Sequence, residues 1–304
     1  MRRALADAGI TALAPAVWGS TYLVTTELLP PDRPLLAATV RALPAGLVLL
    51  AIGRALPVGI WWWRALALGT LNIGAFFFLL FVAAYHLPGG VAALVGSVQP
   101  VVVIVLAAVL LGDRVRTVHV AACAAAAVGV GLLVLRSDAG LDPVGVAAAT
   151  GAAVCMATGI VLTKRWRRPV GVLLFTGWQL TAGGLVLLPA LVLLEGLPGA
   201  DVVDGDALLG FGYLIVVGSL LGYSVWFRGA DRVPALAMSF LGFVSPIVAT
   251  ALGFLVLGQT LTAGQGVGAV VLVAAIVAVQ LDTRPTGRRA TAPGAPPCAA
   301  RPKG

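Results

Sequence analysis

An all-α membrane protein of ten transmembrane helices, arranged as two inverted five-helix repeats, is the fold class that this sequence predicts. Three observations predict it. The 304 residues are 60% apolar and 11% charged, with mean hydropathy +1.03, and a soluble chain of that composition lacks the polar surface to cover itself. The apolar residues fall in runs of about 20, the length that crosses a hydrocarbon core. The chain also repeats itself. Residues 94–114 laid on residues 240–260, an offset of 146 positions, bring Gly96 to Gly242, Val98 to Val244, Pro100 to Pro246, Leu106 to Leu252 and Leu111-Gly112 to Leu257-Gly258. Upstream, Phe81, Ala84 and Pro88 meet Phe227, Ala230 and Pro234 at the same offset. One unbroken offset over that distance is an internal duplication.

In chain order, the runs predict helices over 8–28, 35–53, 63–84, 89–111 and 118–135, then 143–163, 170–193, 208–228, 236–257 and 263–281. The first run continues past Trp18 as a spanning segment, so no cleavable signal peptide is expected. Residues 1–140 make the first repeat and 141–281 the second. Residues 282–304, rich in Pro, Ala and Arg without periodicity, read as a disordered, basic cytoplasmic tail.

Charge orients the bundle. With the N-terminus in the cytoplasm and sides alternating, 17 of the 20 cations fall on cytoplasmic segments, among them Arg54, Arg64, Arg114, Arg116, the Lys164–Arg168 cluster, Arg228 and Arg232. The outer loops collect Asp32, Asp138, Asp142, Asp201, Asp204 and Asp206. That bias puts both termini in the cytoplasm. It also explains the net charge of +8 without nucleic acid, because the cations sit in short clusters between apolar runs. Five helices per repeat is an odd number, so the second repeat enters from the opposite side. Two bundles related in that way rock against each other and expose a central site alternately to each side. A duplicated channel or scaffold is the plainer alternative.

The residues that could carry function are those whose polarity or flat aromatic surface is out of place at depth. Trp18, Ser20 and Tyr22 in the first helix offer one wall of a cavity, or simple helix packing. Arg41 is the one cation well inside an apolar run. It lies about 9 Å from the outer end of its helix, by the helical rise, so snorkelling or pairing with Glu27 competes with a substrate-contact role. Asn72 and Gln99 are amides at mid-depth, which either satisfy each other or face substrate. Gln99 precedes Pro100, whose missing N–H is expected to free a carbonyl at a helix kink; Ser245-Pro246 repeats the arrangement. Tyr85, His86, Trp178, Gln179, Ser219, Tyr223 and Ser224 complete the candidates, with Trp226 read as an interfacial aromatic and His86 as a solvated one. No Asp or Glu lies at mid-depth, so a core proton relay is not expected, and Glu27 is the coupling candidate at an end. The three cysteines form no disulfide framework. No metal site, cofactor motif or nucleophile–base set is legible. Gly264-x-x-x-Gly268 on the tenth helix and the alanine-rich fifth helix are expected to pack together or to form a homodimer surface.

With WGSTY in the first helix, the paired prolines, and LLGDRV echoed by VLGQTL, the chain resembles the EamA family of the drug/metabolite transporter superfamily over roughly residues 8–281. WGSTYLVTTELLPPDRPLLAATVRALPAG and NIGAFFFLLFVAAYHLPGGVAAL are most similar to its PecM-like branch, described as blue-pigment (indigoidine) exporters. The resemblance implies ten helices in two inverted repeats and export of small metabolites, with pigment, amino acid and drug-like compounds all candidates. The family's Gly-Glu after the fourth and ninth helices stands here as Gly112-Asp113 and Gly258-Gln259. The second position has lost its charge, so no role for an acid carries over to it. A lipid flippase is the alternative. The expected partners are therefore a small-molecule substrate and the bilayer.

Overall fold

Apolar runs that cannot share their backbone groups with water must close them internally, and helices do so. The computed structural model describes residues 2–87, 95–134, 142–199, 204–256 and 262–282, and no strand occurs among them. Helices α1 (Arg2–Gly19) and α2 (Thr21–Leu28) are one run interrupted at Ser20. The Ser20 hydroxyl donates to the Val17 carbonyl at 2.6 Å, a local bond that competes with the helical ladder. Then come α3 (Pro34–Gly53) and α4, which covers 61–86 and contains a π-helical turn at Thr70–Gly74. Helices α5 (Gln99–Leu111) and α6 (Thr117–Val134) follow.

The second half holds α7 (Pro143–Trp166), α8 (Val172–Glu195), α9 (Gly205–Ala230), α10 (Ala235–Val256) and α11 (Ala263–Asp282). Among the described residues, α3, α4 and α7 to α11 are the seven helices long and apolar enough to cross a bilayer, while α5 and the apolar part of α6 are shorter. Charges at Arg2, Arg3 and Asp7 and the break at Ser20 set α1 apart from those seven. The expected start of the fourth helix at 89–94, the Gly258-Gln259 pair and the basic tail lie outside the described residues.

The duplication is visible in local geometry. The π-turn Thr70–Gly74 of α4 maps, 146 positions on, into the π-helical stretch Leu214–Leu221 of α9. A turn at Ser97-Val98 precedes α5, and a turn at Gly242-Phe243 interrupts α10. Pro100 and Pro246 therefore sit in the first turn of the helical segments that follow. There a missing N–H leaves no ladder bond unmade. Neither proline bends the middle of a helix, because the chain breaks two or three residues earlier.

Helices α3 and α8 make the most extensive contact in the bundle, followed by α6 and α11. In the first pair, Gly46 lies on Thr181 and Gly184 on Leu43, so closely that a β-carbon at either glycine would overlap its neighbour. The sequences of the two helices align at an offset of 138: Leu35 with Leu173, Arg41 with Gln179, Gly46 with Gly184 and Leu49 with Leu187. In the second pair, Gly129 meets Gly268 and Leu272. The small-residue faces expected on the fifth and tenth helices thus pack against each other within one chain.

Side chains tie the ends of the bundle. At the cation-rich end, Asp7 pairs with Arg228 at 3.0 Å and Arg232 at 3.1 Å, Arg168 with Asp231 at 2.6 Å, and Arg116 with Asp282 at 2.7 Å. At the other end, Glu195 closes α8 onto α3. Its carboxylate accepts the Leu35 and Leu36 N–H groups at 2.6 and 3.0 Å. Arg33 in turn donates to the Glu195 and Gly196 carbonyls. Asp142 caps α7, accepting from Val144 N–H at 2.7 Å and Gly145 N–H at 3.1 Å, with His86 Nδ1 3.4 Å away.

Two predictions follow from these ends. Glu195→Ala strips two N–H groups of their acceptor at a helix start, and thermal unfolding in detergent should register a loss of about 1–2 kcal/mol. The Gly145 N–H, helped by the His86 ring and the Val144 N–H, holds the Asp142 carboxyl below the usual carboxylate range. A depressed folded-state value stabilises the fold above the unfolded value and loses that effect as pH falls through the folded one. The stability gap between wild type and Asp142→Asn should therefore be open at neutral pH and close in acid; a pH-independent gap would refute the cap.

Candidate functional site

Buried polarity gathers where α1, α3, α4, α8 and α9 meet. Arg41 on α3 is 2% exposed. Its guanidinium lies over the Phe77 ring of α4, 4.5 Å from the centroid, an arrangement in which the ring face offsets part of the cost of burying the charge. The snorkelling alternative therefore does not hold: the side chain turns inward. Beside it is Gly218 of the α9 π-stretch, where a β-carbon would stand 3.7 Å from Arg41 Nε and Nη2.

Tyr223, one turn further along α9, is 1% exposed. Its ring packs on Phe77 at 5.8 Å and on Trp18 at 4.8 Å. Trp18 in turn donates its indole N–H to the Gly218 carbonyl at 2.8 Å. The Gly218 carbonyl belongs to the π-helical stretch, so this bond fastens α1 to the widened part of α9. Ser20 Oγ and the Tyr213 hydroxyl, 2.5 Å apart, join α1 to α9 one turn away. Trp18, Ser20, Arg41 and Tyr223, read separately from the sequence, are thus brought together. Phe77 and Gly218 went unnoticed, although Phe77 and Tyr223 stand 146 positions apart and the repeat itself was the signal.

A second polar group lies nearby. Asn72, in the π-turn of α4, donates through Nδ2 to Gln179 Oε1 of α8 at 2.8 Å and to Thr163 Oγ1 of α7 at 3.4 Å. Both amides are at most 1% exposed, and Asn72 Oδ1 and Gln179 Nε2 have no partner. Asn72 fits because Gly159 opposite has no side chain. The amide partner of Asn72 is Gln179, not Gln99. In repeat register, Gln179 matches Arg41 and Asn72 matches Gly218, so the two polar groups are counterparts with different chemistry.

The remaining candidates sit elsewhere. Gln99 and Ser245 are half-buried at the starts of helical segments, and the Ser245 carbonyl lies against Gly19 of α1. Trp178 is buried but donates to the Ala55 carbonyl at the cation-rich end, 2.9 Å away. Trp226, expected at the interface, is 3% exposed and packs on Trp18 at 5.2 Å. Glu27 is exposed at the end of α2, and His86 is exposed beside Asp142. The side chains of Tyr22 and Tyr85 lie outside the described residues.

A bundle of apolar helices with charge, amides and aromatic rings gathered inside it has the build of a multi-pass membrane transporter. The chain belongs to the EamA-like transporter family, whose model matches residues 8–135 and again 143–281. It is 51% identical over 269 residues to protein PecM of Dickeya dadantii, covering 88% of this chain and 90% of PecM. It is 29% identical to the uncharacterized inner membrane transporter YedA of Escherichia coli K12, covering 87% of each. Identity to a probable amino-acid metabolite efflux pump of Salmonella typhimurium is 28%, over 89% of this chain and 93% of that one. A protein known from a crystal structure shares the fold, with TM-score 0.75 and 21% identity over 91% of this chain and 96% of that chain. The chain is a multi-pass membrane transporter.

Trp18→Phe tests the link between α1 and the π-stretch. The variant keeps the ring on Tyr223 but removes the indole N–H from the Gly218 carbonyl. Thermal unfolding should fall by about 1–2 kcal/mol, and no change would mean that the bond is incidental.

Proposed function

We propose that this transporter exports small metabolites by alternating access, through ten transmembrane helices built as two inverted five-helix repeats with both termini in the cytoplasm. The observation that carries the reading is the buried group of Trp18, Arg41, Phe77 and Tyr223 at the junction of the two halves. Its members come from both repeats, so a movement of one half against the other must remake it. Repeat-related helices and breaks of this kind are how carriers place a site at the bilayer midplane. Family membership and the efflux name of the Salmonella relative support the outward direction.

The substrate is a planar or aromatic molecule that is neutral or zwitterionic. Trp18, Phe77 and Tyr223 supply flat apolar surface, Arg41 anchors an acid group, and Asn72 with Ser20 supplies hydrogen bonds. Gln99 and Ser245, at corresponding breaks of the two repeats, border the route. A buried guanidinium that leaves its aromatic partner for a carboxylate gains a charge-assisted, two-pronged contact, which favours the loaded state.

Efflux from expressing cells tests this directly. Cells loaded in turn with L-phenylalanine, an indigoidine-type pigment and a cationic dye should release the first or the second faster than vector controls. Arg41→Lys keeps the charge but loses the planar fork, and should slow that release about tenfold at normal membrane levels. A parallel run with a protonophore separates proton-driven from downhill export. Correct insertion with no release of any compound would overturn the exporter reading and return the flippase to first place.

A further inference from the structure

A cavity of about 620 Å³ opens at the cation-rich end of the bundle, lined by Thr163, Lys164, Arg167, Arg168, Ala230 and Asp231. That volume is in the range of small-molecule sites. Three cations and one carboxylate face it, and their hydrogen bonds show which are spoken for. Arg168 is held by Asp231 at 2.6 Å and by the Val170 carbonyl. Lys164 Nζ donates to the Ala230 carbonyl at 2.5 Å. An ammonium has three N–H groups, so two remain to be used. Arg167 makes no ion pair among the described residues, and its backbone is held at φ +45°, the left-handed region that favours glycine. An arginine kept there, at the end of α7, is placed over the cavity mouth at a cost in backbone strain. Asp231 is the one carboxylate in the lining, so the cavity retains an excess of positive charge.

The floor leads inward. Thr163 lines the cavity, is buried, and accepts from Asn72. Asn72 in turn bonds Gln179, and each amide keeps one buried polar atom without a partner. Five residues further along α4 lies Phe77, under Arg41. Cations at the mouth, a hydroxyl at the floor, two amides beyond and a guanidinium at the centre form a graded polar path through an otherwise apolar bundle.

We propose that this cavity is a loading site for the carboxylate of a small metabolite, with Arg167 and Lys164 binding the acid group before it passes Thr163 and Asn72 to Arg41. The assignment rests on the exporter reading for its place at the cytoplasmic face. Arg167 supplies the paired donors and Lys164 the nearer point charge. The shared chemistry is a compact anion, and a lipid phosphate is the other source of one.

The test uses the full chain in nanodiscs of zwitterionic lipid, with the melting temperature read against sodium benzoate, benzamide and inorganic phosphate. A ligand that binds only the folded state raises that temperature in a saturable way. Benzoate should stabilise the protein and benzamide should not. Arg167→Gln should weaken the benzoate response about tenfold and Arg167→Lys less, as expected when a paired contact becomes a single charge. Equal responses to benzoate and benzamide, or an unchanged response in Arg167→Gln, would overturn the site. So would a response reproduced by phosphate and abolished in nanodiscs containing phosphatidylglycerol, which would make this a lipid-headgroup site. Efflux separates the two readings. Wild-type export with an unchanged KM in Arg167→Gln removes the loading site and leaves the exporter. Benzoate binding that depends on Arg167, in a protein that exports nothing, keeps the anion site and removes the exporter.

Discussion

Inside an apolar bundle each backbone N–H and C=O has to find its partner within the protein, and the rest of this structure is arranged around that requirement. Where the helices are regular, the ladder meets it. Where they break or widen, a side chain from a distant segment does so. Trp18 serves the Gly218 carbonyl in the π-stretch of α9, and Glu195 serves the first N–H groups of α3. Lys164 serves the last carbonyl of α9, Arg165 the Leu110 carbonyl at the end of α5, and Gln280 the Ala237 carbonyl of α10. These bonds join elements far apart in the chain, so irregular backbone and long-range assembly are the same feature seen twice.

The irregular places are also where the candidate site gathers. The π-helical segments of α4 and α9 fall at corresponding positions of the repeats, and each faces the α3–α8 pair that holds the bundle together. At one, Gly218 leaves room beside a cation, Arg41. At the other, Asn72 fills the space and bonds an amide, Gln179. Between them the repeat-related rings of Phe77 and Tyr223 pack on each other. Duplication made two equivalent corners, and divergence gave one of them charge and the other hydrogen-bonding amides.

Much of the fold was legible because hydrophobic run length and repeat register survive in a single sequence. Apart from the starts of α1 and α5, the described helices begin and end within about three residues of the runs, and Gly112, in the left-handed conformation that ends α5, accounts for the glycine of the Gly-Asp signature. Part of the site was legible for a related reason. Arg41, Asn72, Trp18 and Tyr223 are conspicuous in apolar surroundings because each is costly or bulky there. Phe77 was not, since one phenylalanine among apolar neighbours has no local mark. Gln99 and Pro100 looked special for the opposite reason: a proline within an apolar run implies a kink only if the helix is continuous, and whether it is continuous depends on the turn at Ser97-Val98.

By itself the sequence determined that this protein is an all-α membrane transporter with a doubled plan, because hydropathy, duplication and family motifs are properties of residue order. Tertiary structure alone decided the pairings: Arg41 on Phe77 and not toward the water, Asn72 with Gln179 and not Gln99, Trp226 on Trp18 and not at the interface, and α6 on α11. Each of these depends on which faces of different helices meet, and all but Arg41 on Phe77 join residues 100 or more positions apart. Spacing along one helix says which side chains share a face, but not which neighbour that face will find.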